Sequence, residues 1–172
     1  MQDQTFEVTP KRQLTLLSSV ILVHSVLIYA YLHFFGLKGD LTFLWIYLGI
    51  FMLDGLPTII LHLQYLSANR NTVLIFRKQQ RTLSYTRKEK TFDYSFDDIA
   101  EALYVAGYGG GAWYSFSEYR YFVLAFKDGK SILISCLMIK FDKALLEGIF
   151  GIPVKSKIMG MPFVKNLDRL TS

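Results

Sequence analysis

Two long apolar stretches open the chain, and an alternating pattern follows them. From Leu14 to Leu37 there is no Lys, Arg, Asp or Glu. From Leu41 to Leu66 there is one acid, Asp54, and no Lys or Arg. A helix needs about 20 apolar residues to cross a hydrocarbon core, and each stretch supplies them. Gly36-Leu37-Lys38-Gly39-Asp40 between them reads as a tight turn. The pattern predicts a transmembrane helical hairpin over 14–66, with spans of about 14–35 and 41–66. Unbroken runs of this length favour a bilayer over a pair of buried core helices. The first run exceeds the h-region of a signal peptide, about 7–15 residues, and no small-x-small site follows it, so it reads as an uncleaved anchor.

After residue 67 the period changes from helix to strand. Thr72-Val73-Leu74-Ile75-Phe76 is a β-branched run, and Thr82 to Thr86 alternates. Phe92, Tyr94 and Phe96 share one face of a third strand. Ile99–Val105, Tyr119–Phe126 and Ser131–Leu137 read as three more. Asp128-Gly129 predicts a type I′ hairpin turn between the last two, which needs φ > 0 at both central positions. Helical spacing returns only at Phe141, Leu145 and Ile149, and Gly151 with Pro153 ends it. The order is six or seven strands in successive hairpins, then one amphipathic helix placed to plug the open end of the sheet.

Composition sharpens this picture. The chain has 172 residues, is 52% apolar and 19% charged, and holds one cysteine. That excludes a disordered chain and a disulfide-built scaffold. The charge is also unevenly placed: residues 67–172 carry 16 of the 19 Lys and Arg and 10 of the 14 Asp and Glu. Lys11 and Arg12 precede the first span, and Arg70, Arg77, Lys78 and Arg81 follow the second. The positive-inside bias puts both termini in the cytoplasm. Tyr29, Tyr31, Trp45 and Tyr47 lie toward the turn ends of the spans and Tyr65 toward the cytoplasmic end, where the outermost of them fit aromatic belts.

The segments LIFRKQQRTLSYTRKEKTFDYSFDDI, YRYFVLAFKDGKSILISCLM and FDKALLEGIFG carry a resemblance. Together with the hairpin ahead of them, they resemble the bacterial pleckstrin-homology-like (PH-like, YcxB-like) domains that follow a pair of membrane helices. Phe96-Asp97-Asp98-Ile99 matches the step that ends the first hairpin in such families. The fold class implied is a membrane α-helical hairpin plus an α+β, PH-like antiparallel barrel or sandwich capped by one C-terminal helix. The implied division is a cytoplasmic arm over 1–13, the hairpin, a cytoplasmic PH-like domain over 67–151 and a tail over 152–172. The location implied is a bacterial inner membrane. The resemblance carries no catalytic motif, and the eukaryotic lipid site does not transfer with it.

Asp54 is the most informative single residue. Counted from the turn, His24 and Asp54 differ in depth by about 3 Å, so the two could face each other as an intramembrane polar pair. An acid at this depth stays protonated or finds a partner, and His24, Ser18, Ser19 and Ser25 are the available donors. Four readings stand: a proton- or ion-sensing pair, a contact for a partner's membrane helix, polar glue for the hairpin or between copies, or a break of the span at Asp54-Gly55-Leu56-Pro57.

Three further candidates are weaker. Gly107 to Tyr114 is a glycine-rich aromatic loop, either a recognition loop through Tyr108, Trp113 and Tyr114 or a plain strand connection. No Gly-Lys-Ser/Thr follows it, so it is not a phosphate cradle. Arg77, Lys78, Arg81, Arg87, Lys88 and Lys90 sit at two turns, either as lipid or partner contacts or as a solvated edge. They lack the interleaved aromatics of a nucleic-acid surface. Cys136 in an apolar strand reads as a buried small hydrophobe. His24, His33 and His62 form no metal-ligand pattern, and no cofactor is implied. The tail from Ile152 to Ser172 either packs on the sheet or lies along the membrane.

The sequence thus predicts a non-enzymatic membrane protein whose PH-like domain binds a protein partner. An immunity or accessory protein against a membrane-active toxin is one form of it, by analogy. The alternatives are a homo-oligomeric transport or sensing assembly built around Asp54, and a binder of anionic membrane lipids.

Overall fold

The computed structural model describes residues 3–36, 41–108, 114–140 and 143–164. Lys38, Asp40 and Trp113 lie outside the described residues. Strand β1 (Gln4–Glu7) comes first, and helix α1 (Pro10–Phe35) follows. Thr9 caps the helix, its hydroxyl accepting from the Arg12 N–H at 3.2 Å. Pro10 occupies the first helical turn, where its missing N–H costs nothing.

Helix α2 (Leu41–Ile50) runs through a π-helical turn (Phe51–Gly55) into α3 (Leu56–Asn69). The span is therefore bulged at Asp54-Gly55-Leu56-Pro57 and not broken there. Leu56 N–H reaches back to the Phe51 carbonyl. Pro57 cannot donate into the helical ladder, and the wider turn absorbs that loss. Pro10–Phe35 and Leu41–Asn69 are both long and apolar enough to cross a membrane. Only 17% and 22% of their apolar windows are buried, unlike the core helices of a soluble domain.

Strands β2 (Thr72–Arg77), β3 (Thr82–Arg87) and β4 (Lys90–Ser95) form an antiparallel meander. Lys88 and Glu89, at φ 46° and 69°, make the tight turn between β3 and β4. A short 3₁₀ turn (Phe96–Asp98) leads into β5 (Ile99–Gly107). Ser95 and Asp98 form a capping box there, which is what the Phe96-Asp97-Asp98-Ile99 step does physically. A second 3₁₀ turn (Ser115–Glu118) precedes β6 (Arg120–Phe126), then β7 (Ser131–Ser135), α4 (Lys143–Phe150) and β8 (Lys155–Met159).

Two four-stranded sheets result, ordered β1-β2-β3-β4 and β7-β6-β5-β8. Two features differ from the sequence reading, and one choice it left open, the place of the tail, is decided. The N-terminal arm is a strand: Gln4 pairs with Phe76 and Glu7 with Val73. The helical hairpin is therefore inserted between the first two strands and does not precede the sheet. Four residues are too few for periodicity to register, and Phe6 is held by tertiary packing on Phe76, rings 5.5 Å apart. The tail also supplies a strand, because β8 pairs parallel with β5 from Leu103↔Lys155 to Gly107↔Met159. Finally, the Asp128-Gly129 hairpin is not type I′. Only Gly129 has positive φ (83°), with Gly129 N–H donating to Phe126 O and Phe126 N–H to Lys130 O. That is a type I turn closed by a left-handed glycine.

The inner faces of the sheets meet through Leu74, Phe76, Leu83, Phe122, Leu124 and Ile134, all fully buried. Helix α4 closes this core as expected. Phe150 stacks on Phe122 at 5.7 Å and meets Phe76 and Phe96 edge-on. The outer face of β5, β6 and β7 is also apolar, and it packs on the bases of α1 and α3. Leu16, Leu61, Tyr65, Ala68, Tyr119, Tyr121, Leu133 and Leu137 form this second core.

Candidate functional site

The second core welds the hairpin to the sheet with polar contacts as well as apolar ones. Asn69 is fully buried, donates to Leu133 O at 2.8 Å and accepts from Ser135 N–H at 2.9 Å. One amide side chain thereby completes the outer ladder of β7. Arg12 Nε donates to Cys136 O at 2.9 Å. The Tyr65 hydroxyl donates to Pro162 O at 2.8 Å. His62 Nδ1 and the Tyr119 hydroxyl share a buried hydrogen bond of 2.9 Å. Burial pushes the Tyr119 phenol above its ordinary range and the Cys136 thiol up to about 11. Cys136 is therefore a packed, protonated thiol and no nucleophile. Tyr65 is also fully buried, so it belongs to this core and not to a lipid-facing aromatic belt.

Farther along the hairpin lies Asp54, inside the π turn. Its Oδ1 accepts from Ser115 N–H at 2.7 Å, and its Oδ2 accepts from the Ser115 hydroxyl at 2.8 Å. Ser115 begins the 3₁₀ turn before β6, so the carboxylate sits at the positive end of a helical turn. Thr58 donates its hydroxyl to the Asp54 carbonyl at 2.7 Å and steadies the bulge. His24 is brought close, as the depth count expects: its Nε2 is 3.9 Å from Asp54 Oδ2. That is ion-pair range, beyond a hydrogen bond. The His24 ring is buried, lying edge-on to Phe51 at 5.3 Å and Tyr47 at 5.8 Å. Gly55 makes this approach feasible, because a Cβ there would stand 2.8 Å from His24 Nε2.

Sequence reasoning placed His24 opposite Asp54 but missed Ser115, the residue that bonds it twice. The signal was faint. A partly buried acid in an apolar run needs strong donors, and Ser115 and Ser117 flank Phe116 just after an uncharged aromatic segment. Among the described loop aromatics, Tyr108 is 74% and Tyr114 is 51% exposed.

The six basic turn residues do not form one patch. Strand β3 separates the two turns, and six residues of strand span about 20 Å. Arg77 donates to Ser84 Oγ at 2.6 Å and lies 3.7 Å from Asp93. Arg81 pairs with Asp97 at 3.0 Å. Lys88 and Lys90 are exposed at the other end. Among the described residues no three His, Cys, Asp or Glu side chains converge as a metal set would.

Two packed sheets closed by one helix, with a helical hairpin rooted in an outer face, make a fold of the PH-like class. A family model described as a PH domain matches residues 5–145, which is most of the chain, and the chain belongs to that family. The match begins in β1 and runs into α4, so the hairpin lies within it. No curated protein and no solved structure matches. PH domains are in general protein- or lipid-interaction modules without catalysis.

Proposed function

We propose that the protein is a membrane-anchored, non-enzymatic interaction module that presents its PH domain at the cytoplasmic face of a bacterial inner membrane. The hairpin is the anchor, and β1 and β8 both lie on the domain side. The observation that carries this reading is the weld at Asn69, Tyr65 and Arg12. A tethered domain would need only a linker. Here the β5–β7 face is used up in holding the domain at one fixed angle to the hairpin. The surface left for a protein partner is the sheet of β1 to β4 with the Arg77–Arg81 and Arg87–Lys90 turns.

The alternatives have less support. Asp54 spends both carboxylate oxygens on Ser115 of its own chain, which leaves little for an assembly of copies. The basic turns lie at opposite ends of β3, with Arg77 and Arg81 beside acids, which disfavours an anionic-lipid surface. A protein partner is the reading we adopt, and immunity or accessory function against a membrane-active toxin is its concrete form.

Two measurements test it. Resistance to alkaline carbonate extraction is expected of the anchored chain, and release into the supernatant removes the anchor. Co-production with the product of a neighbouring gene that inhibits growth is expected to restore growth. No protection removes the immunity role and leaves the anchored module standing.

A further inference from the structure

The Asp54–Ser115 bond fixes how far the β domain reaches along the hairpin. From Leu41 to Asp54 the helix climbs about 20 Å at 1.5 Å per residue. A hydrocarbon core is about 30 Å thick. A hairpin that crosses it therefore holds Ser115 as much as about 10 Å inside the core's cytoplasmic edge. That range puts the turn that carries Ser115 at the cytoplasmic-side interface or just below it, beside the helices.

Its chemistry suits that place. From Ala102 to Ser117 the chain has no Asp, Glu, Lys or Arg. Backbone donors in lipid need partners. Ser115 N–H has Asp54, Ser117 N–H has Tyr114 O and Tyr119 N–H has Phe116 O. Tyr114 stacks on buried Phe116, ring centroids 5.1 Å apart, and keeps half its surface outward. The end of β5 is adjacent, since Gly107 packs near Phe116 O. There Tyr108 and, one strand over on β8, Ile158 are 74% and 69% exposed. The one charge of the 3₁₀ turn is its last residue, Glu118, held by Arg120 at 2.8 Å.

We propose that the Tyr114–Ser117 turn, with Tyr108 and Ile158, is a second membrane-contacting element that seats in the cytoplasmic-side interface of the bilayer. It binds through aromatic and apolar contact, so neutral lipid suffices. Tyr rings at that depth are the side chains an interface prefers. The carboxylate of Asp54 is tolerated because this turn brings its donors into the membrane. The inference rests on the hairpin crossing the bilayer.

Full-length protein in phosphatidylcholine vesicles tests it. An environment-sensitive dye is attached to Tyr114→Cys, Tyr108→Cys, Ile46→Cys or Asp128→Cys in turn; native Cys136 is buried and does not compete. The Tyr114 and Tyr108 dyes are expected to be quenched by shallow nitroxide lipids several-fold more than the Asp128 dye, which lies at the far end of β6. Using both positions guards against one variant that fails to fold. If both dyes are as open to aqueous iodide as the Asp128 dye while the Ile46 dye is protected, the inference is overturned and the turn is free for a protein. Quenching that needs anionic lipid overturns the apolar mechanism. An Ile46 dye open to iodide overturns the spanning hairpin, and this inference falls with it.

Discussion

Asp54 Oδ1 and Oδ2 both take hydrogen bonds from Ser115, a residue 61 positions later in the chain. That double bond joins a helical bulge to a strand connection, so each side holds the other in shape. Leaving a buried group of this kind unpaired costs about 1–3 kcal/mol. Ser115→Ala and Asp54→Ala are each expected to lower unfolding stability in detergent by that order. The double variant should cost clearly less than the sum, with a coupling of about 0.5–3 kcal/mol. Strict additivity would break the link between the two residues.

Gly55 and Gly49 lie close together in the same helix and should respond in opposite ways. A Cβ on Gly55 would stand 2.6 Å from Phe51 Cδ2 and 2.8 Å from His24 Nε2, whereas one on Gly49 meets nothing within 4 Å. Gly55→Ala should destabilise by about 1–3 kcal/mol through overpacking. Gly49→Ala should be neutral or gain up to about 1 kcal/mol in helix propensity. Detergent unfolding of the two variants checks the ordering, and equal effects would contradict the close approach of α1 to the bulge.

Asn69→Ala removes the amide that serves Leu133 O and Ser135 N–H. Each group left buried and unpaired costs about 1–3 kcal/mol. The base of α3 should then loosen from β7, with faster hydrogen exchange at Ser135. Unchanged exchange there would show that apolar packing alone holds the hairpin on the sheet.

The Cys136 thiol is raised from 9.0 to about 11 by burial, and burial also raises the Tyr119 and Tyr121 phenols above 10.0. The folded chain thus keeps protons that the unfolded chain loses first. Their contribution is complete below pH 9 and falls as pH climbs from 9 to 11 and beyond. Denaturant midpoints should decline over that window. Cys136 should also resist a thiol reagent at pH 8 until the chain is unfolded. Rapid native labelling would contradict its burial.

Much of the β domain was legible in the chain because its signals are local. Thr82 to Thr86 and Thr91 to Phe96 alternate, and turns punctuate them. Strand β6 shows why legibility stops. Tyr121, Phe122, Val123 and Leu124 are apolar at every position, since Phe122 and Leu124 face the inner core while Tyr121 faces α3. The pattern records that both faces are covered, and says nothing of what covers the second. Tyr65 was misleading for the same reason: an aromatic near a span end suits a lipid interface or a protein core equally well. Strands β1 and β8 are too short and too plain to stand out from their tails.

The sequence by itself determined two apolar runs long enough to cross a membrane, an alternating basic domain after them, one acid inside the second run, and an aromatic helix to close the core. Run length, period and turn chemistry are properties of neighbouring residues, and they survive without a fold. The tertiary structure alone decided that the hairpin sits between β1 and β2, that Asn69 locks it to β7, and that Asp54 belongs to Ser115. Those are pairings across tens of residues, fixed when apolar burial brings distant segments together and buried polar groups such as the Asn69 amide take partners within reach.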